Sequence, residues 1–171
     1  MIYKRMAYSA VLLALGVGLG YALAWIPNIE LVSFVCVLAG FMLGAEWGII
    51  DGALIFLLYS FLSPFGMAPL PLWIAQGIGG AFLGFLGYLW GTRLKKPLFA
   101  MALGISGTLV YDLLTNLAGF FSFPTKNTFI VYIVSGLSFS LVHIIANGVI
   151  FAILFPIIAK NYLKRHKIPM K

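Results

Sequence analysis

Long runs of apolar residues, separated by short segments rich in proline, glycine and polar residues, make up the sequence. The runs predict six membrane-spanning helices at about 7–25, 31–43, 48–62, 72–90, 98–120 and 129–159. A helix needs roughly 20 apolar residues to cross a hydrocarbon core of about 30 Å. The second and third runs are shorter than this. The pattern predicts an all-α, polytopic membrane protein in which residues 1–171 form a single six-helix domain.

The basic residues lie almost entirely at one side of this predicted array. Cytoplasmic loops of membrane proteins carry an excess of Lys and Arg. Lys126 alone falls on the opposite side, so the partition predicts six spans with both termini in the cytoplasm. Merging the two short runs into one hairpin would disrupt this partition. The cytoplasmic set is Lys4, Arg5, Arg93, Lys95, Lys96, Lys160, Lys164, Arg165, Lys167 and Lys171.

Composition narrows the class of protein further, since 63% of the residues are hydrophobic and only 9% are charged. A soluble domain has about 25% charged residues. The net charge of +7 belongs to short basic flanks that face lipid headgroups, so nucleic acid is not an expected partner. One cysteine, Cys36, excludes an internal disulfide and a cysteine-cluster metal site. We therefore expect a multi-pass protein surrounded by membrane lipid, with no metal or cofactor.

Four polar residues stand out inside the predicted fifth and sixth spans. Asp112 and Asn116 are four residues apart on one helix face, as are His143 and Asn147 on the next helix. An ionisable side chain within a span costs about 2.5–3.5 kcal/mol on insertion scales. At about 1.5 Å per residue, Asp112 and His143 lie roughly 21 and 24 Å from the cytoplasmic side. The spacing therefore predicts that they meet in the outer half of the membrane.

Two interpretations of this pair remain open. It is either a structural lock between the fifth and sixth spans or part of an outward-facing cavity that binds a polar solute. Other polar and aromatic residues at the same predicted end favour the second, because binding sites combine an apolar lining with a few placed polar groups. The predicted solute-binding set is Asn28, Glu30, Phe65, Trp73, Gln76, Tyr111, Asp112, Asn116, His143 and Asn147.

One pattern suggests an enzyme. Residues 104–107 read GxSG and residues 143–147 read HxxxN, which resemble motifs of rhomboid intramembrane serine proteases. Ser106, however, lies roughly 12 Å deep and His143 roughly 24 Å deep. A nucleophile and its base must approach to about 3 Å. The order of the two motifs is also the reverse of that in rhomboids. We therefore predict that the chain is not an enzyme.

The chain resembles the substrate-binding S components of energy-coupling factor (ECF) vitamin transporters, which have six spans and cytoplasmic termini. The resemblance covers the whole chain in topology and includes the AxxxA motif formed by Ala10 and Ala14. It also includes residues 27–33, 38–44, 64–66, 111–116 and 143–147. It implies a high-affinity binding subunit for uptake of a vitamin-like molecule across a prokaryotic plasma membrane. In that family the AxxxA face docks on the EcfT coupling protein, which works with two ATPase subunits.

The sequence contains no GxxxxGK[ST] phosphate-binding motif, so the energy for uptake would come from partner subunits. The alternative is a solitary small carrier or channel that works without ATPase partners. Co-purification with ATPase subunits distinguishes the two.

Overall fold

The computed structural model describes residues 2–165, which form six α-helices and one short 3-10 helix at Gly91–Lys95. No β-strand occurs within this range, so the all-α prediction is confirmed. Lys167 and Lys171 of the predicted basic set lie outside the described residues. The helices are α1 (Ile2–Leu23), α2 (Val32–Leu43), α3 (Ala45–Phe61), α4 (Leu70–Trp90), α5 (Pro97–Ser122) and α6 (Phe129–Arg165).

Four helical segments are long and apolar enough to cross a membrane: Ile2–Leu23, Leu70–Lys95, Pro97–Ser122 and Phe129–Arg165. With 12 and 17 residues, α2 and α3 are shorter. At 1.5 Å per residue they extend about 18 and 26 Å. The chain thus has an all-α membrane-protein fold, while six complete crossings remain a prediction.

The short helix α2 lies in the middle of the bundle. It contacts α1, α3, α4 and α6, and ten of its 12 residues are buried. A helix that is apolar on every side is typical of an element surrounded by protein. The segment 24–31 leads directly into this enclosed helix. Glu30 is thereby brought beside α6, where it contacts His143 and Asn147.

Glycines allow α2, α3 and α4 to pack closely. Gly44 joins α2 to α3 with a φ of 94°, a backbone conformation that favours glycine. A Cβ atom on Gly48 would meet the Cα atom of Gly40, and one on Gly52 would meet the carbonyl oxygen of Gly80. Small residues at helix contacts permit this approach in membrane proteins. The three helices therefore form a tightly packed unit with little room between their backbones.

The helix α1 packs on α2 and α3 at the edge of the bundle. Its buried residues are Ser9, Leu12, Gly16 and Gly20. At about 100° per residue, the opposite face of the helix carries Ala7, Ala10 and Ala14. All three of these alanines are exposed. The AxxxA residues therefore point away from the rest of the described chain.

Candidate functional site

A chain of three ionisable side chains lies inside the bundle. His143 Nδ1 is 2.9 Å from Asp112 Oδ1 and 3.2 Å from Oδ2, and His143 Nε2 is 3.1 Å from Glu30 Oε1. Asp112 is 5% exposed and His143 is 8% exposed. The contact that helix spacing predicted between Asp112 and His143 is present. Only an imidazolium donates from both ring nitrogens, so this arrangement matches a charged His143 between two carboxylates.

Glu30 has further hydrogen bonds on both carboxylate oxygens. The backbone N–H of Ser33, in the first turn of α2, donates to Oε2 at 2.8 Å. Asn147 Nδ2 donates to Oε1 at 2.9 Å and to Thr108 Oγ1, also at 2.9 Å. Free N–H groups and the helix dipole both favour a negative charge at this end of α2. One carboxylate thus joins the start of α2 to α6, whose Asn147 and His143 are in turn bonded to α5.

These contacts also affect the acidity of Glu30. Burial alone would raise the pKa of its carboxyl group. The hydrogen bonds from His143, Ser33 and Asn147, together with the charge of His143, outweigh burial and lower the pKa below its ordinary value of 4.5. Glu30 is therefore ionised at neutral pH.

Two cavities border the Glu30–His143–Asp112 chain at one end of the bundle. That end carries the segments 24–31, 62–69 and 123–128, and we call it the outer end because the charge partition predicts that it faces outside. The first cavity has a volume of about 200 Å³ and is lined by Glu30, His143 and aromatic rings of α3 and α5. The second, about 350 Å³, lies between α4, α5 and α6 and is lined by Asp112 and Asn116. Asn28, Tyr111 and His143 line both cavities.

A third cavity of about 300 Å³ lies under the segment 62–69 and is lined by Phe65 and Gln76. It shares Tyr59 with the first cavity and Gln76 with the second. The three cavities are therefore neighbours at the outer end, with the buried ionisable chain at the border of two of them.

Three of the predicted residues support this region through defined contacts. The Tyr111 ring is stacked on Phe56, with centroids 4.5 Å apart, and meets His143 edge-on at 6.4 Å. Asn28 has a left-handed φ of 60°, and its Nδ2 donates to the Phe139 carbonyl at 3.0 Å. Asn116 lines the second cavity, and its Nδ2 donates to the carbonyl of Asp112 at 2.9 Å. These side chains are held in place by contacts with neighbouring residues.

The remaining predicted residues lie farther from the ionisable chain. Phe65 is 63% exposed and packs edge-on against Trp25 at 5.4 Å. Trp73 donates from Nε1 to the Leu57 carbonyl at 3.0 Å, so its indole ties α4 to α3, and it lines none of the three cavities. Gln76 lines two cavities, and its buried Oε1 has no hydrogen-bond partner among the described residues.

Sequence reasoning missed several residues of the site. Thr108 lies four residues before Asp112 on the same helix, a spacing that indicates a shared face. Ser33, Phe56 and Tyr59 carry no comparable signal, because their positions depend on how deeply α2 and α3 are placed in the bundle. The buried atoms Asn147 Oδ1 and Ser33 Oγ also lack hydrogen-bond partners within residues 2–165.

The ionisable chain is bonded within itself rather than arranged around a metal ion. Residues 2–165 contain no group of three or more His, Cys, Asp or Glu side chains placed to hold one. Ser106 donates to the Leu103 carbonyl of its own helix at 3.3 Å. Both nitrogens of His143 face carboxylates. These partners differ from the serine–histidine contact that nucleophilic catalysis uses.

The fold and the site define an all-α membrane-protein structure with a polar, partly buried cavity system at one end. Comparisons of the chain with protein-family models, with curated proteins and with solved structures find no match.

Proposed function

We propose that the chain is a membrane-embedded, high-affinity binding subunit that captures a small vitamin-like solute for uptake. The observation that supports this most is the Glu30–His143–Asp112 chain at the border of two neighbouring cavities of about 200 and 350 Å³. Pockets for small ligands have volumes of about 300–1,000 Å³ and contain a few placed polar groups. The resemblance to ECF S components points to the same function.

The structural-lock interpretation accounts for less of the site. A lock between α5 and α6 needs only Asp112 and His143. Glu30 enters from a third segment, which such a lock does not require. Polar groups that face lipid would find no hydrogen-bond partner there. Burying additional charge is also costly for a role that apolar packing could fill. A solute that contacts these groups from the cavities would give the additional buried charge a function.

The predicted topology gives the site a direction. The cavities lie at the outer end, so the solute would enter from outside, between α4, α5 and α6 and beneath the segments 24–31 and 62–69. The protein would then be a multi-pass protein of a prokaryotic plasma membrane. A cysteine in place of Lys95, in a Cys36→Ala background, should react with membrane-impermeant reagent only after cells are opened. Labelling of intact cells would contradict this topology.

Release to the inside would require partners, namely an EcfT-type coupling protein and two ATPase subunits. Support comes from the exposed small face of Ala10 and Ala14, opposite the buried face of α1. Ala10→Trp and Ala14→Trp should reduce recovery of the ATPase complex and leave solute binding intact, because added bulk holds a partner helix away. Leu15→Trp adds bulk elsewhere on the exposed surface and serves as the control. Unchanged recovery in both alanine variants would favour a solitary carrier.

The direct test of binding is to identify what the protein holds. Small molecules released from the denatured, purified protein would be identified by mass spectrometry and titrated back onto emptied protein. We expect one compound to bind with a defined stoichiometry. A folded protein that releases and binds no solute would contradict the proposed function.

A further inference from the structure

The formal charges around the first and second cavities do not balance. Glu30 and Asp112 contribute two negative charges, and an imidazolium at His143 contributes one positive charge, which leaves one negative charge. None of the described residues that line the three cavities is Lys or Arg. Lys126, which alone among the basic residues is predicted at this end, is exposed in the segment 123–128 and lines none of the three cavities. The formal positive charge at this place is therefore one short of the two carboxylates.

Hydrogen-bond acceptors are also in surplus at this place. Asn147 is fully buried, and its Oδ1 has no partner among residues 2–165, although its Nδ2 donates to Glu30 and Thr108. Gln76 Oε1, at the second and third cavities, is likewise buried without a partner in the described chain. A buried acceptor without a donor is costly. Asn147 lines none of the three cavities, so of these two atoms only Gln76 Oε1 lies where an entering N–H group could satisfy it.

Aromatic rings complete the first cavity. Phe56, Tyr59 and Tyr111 line it together with Glu30. The faces of aromatic rings carry negative potential and attract cations within about 6 Å. A cation that meets Glu30 in this cavity would therefore also lie near aromatic rings, whose faces can attract it.

We propose that the solute is a small organic cation whose positive group lies against Glu30 and the rings of Phe56, Tyr59 and Tyr111. This inference rests on the proposed binding function and specifies the class of its substrate. A primary or ring-bound N–H⁺ group fits best, because it brings the missing charge and can donate to the Glu30 carboxylate. An anionic solute would meet carboxylates with no Lys or Arg lining the cavities to offset them.

Three probes that share a tert-butyl group differ in charge: tert-butylammonium is a cation, tert-butanol is neutral and pivalate is a slightly larger anion. Each would be titrated onto the full-length protein in detergent, with dissociation constants taken from calorimetry. We expect tert-butylammonium to bind about tenfold or more tightly than tert-butanol, because it gains a charge-assisted hydrogen bond. Pivalate should bind no more tightly than tert-butanol. Any other order, or no binding of tert-butylammonium, would overturn the inference.

The same titrations on variants locate the preference. Glu30→Gln should bring the ratio of the tert-butylammonium and tert-butanol constants close to one. Glu46→Gln, the same change in the first turn of α3 at the inner end, should leave it unchanged. If Glu30→Gln does not fold, Tyr59→Leu replaces it and should weaken tert-butylammonium about twofold or more relative to tert-butanol. A preference that survives in the folded variant would contradict the role of these groups.

Failure of this inference and failure of the proposed function give different results. If the solute released from the purified protein is neutral or anionic, the cation class is wrong and the binding function stands. If the folded protein holds no solute and binds none of the probes, both are wrong.

Discussion

Two carboxylates of this protein differ in almost every respect, since Asp51 is fully buried whereas the Glu30 side chain is 20% exposed. Asp51, on α3, accepts one hydrogen bond from Ser9 of α1 at 2.6 Å, and its Oδ2 has no partner within residues 2–165. Glu30 accepts bonds on both oxygens from α2 and α6 and borders a cavity. Asp51 lines none of the outer cavities. A buried charge alone therefore does not identify a binding site in this fold.

The useful distinction is how many chain segments converge on the charge and whether space adjoins it. The Ser9–Asp51 contact joins two helices that already pack together. The Glu30–His143–Asp112 chain draws on a loop, α5 and α6, with the first turn of α2 bonded to Glu30. A buried polar network is costly unless each of its groups has a hydrogen-bond partner, and its members then stabilise one another. The two carboxylates should therefore differ in their effects on stability and on binding.

The largest effect is expected from His143→Leu. This change leaves two carboxylates buried without their shared partner, which costs about 3–5 kcal/mol when one member of a buried ion pair is removed. Thermal unfolding in detergent should show a clear loss of stability. The double variant Asp112→Leu/His143→Leu should recover part of it, because the second charge is then also absent. Wild-type stability in His143→Leu would show that the Glu30–His143–Asp112 chain is not an energetic unit.

The sequence could predict the Asp112–His143 part of this unit, because both residues lie on long, consecutive helices whose depths can be counted from one membrane surface. It could not predict the bonds of Glu30. Those depend on the short, enclosed α2, whose burial is set by its contacts with four other helices. The rotation of α4 was also beyond prediction, since its apolar surface extends around the helix. Trp73 therefore packs on α3 rather than lining a cavity.

A second effect, smaller than that of losing His143, concerns pH. Because the folded pKa of Glu30 lies below its ordinary value of 4.5, ionised Glu30 stabilises the fold above that value. This contribution is lost as pH falls through the folded pKa. The wild-type unfolding temperature should therefore fall more steeply below pH 4.5 than that of Glu30→Gln. Parallel pH profiles of the two proteins would contradict this assignment.

Binding and stability should separate at Asn116. This side chain lines the second cavity and donates only within its own helix, so Asn116→Leu should fold normally. Loss of a hydrogen bond to solute would weaken affinity by up to about tenfold, or roughly 0.5–1.5 kcal/mol. Asn147→Leu should lower both affinity and stability, because Asn147 also holds Glu30 and Thr108. Lower stability with unchanged affinity in Asn116→Leu would support a structural lock instead.

The smallest effect is expected at the other carboxylate. Asp51→Asn keeps an oxygen that can accept from Ser9 and removes a charge that no described cation balances. The free energy of unfolding should therefore change by less than about 1 kcal/mol. Affinity for solute should not change, because Asp51 contacts none of the cavity-lining groups through a hydrogen bond in the described chain. Asp112→Asn is the matched change within the ionisable chain and should alter both quantities, since it weakens the contact with His143. If Asp51→Asn reduced affinity as much as Asp112→Asn, the two carboxylates would belong to one coupled system despite their separate surroundings.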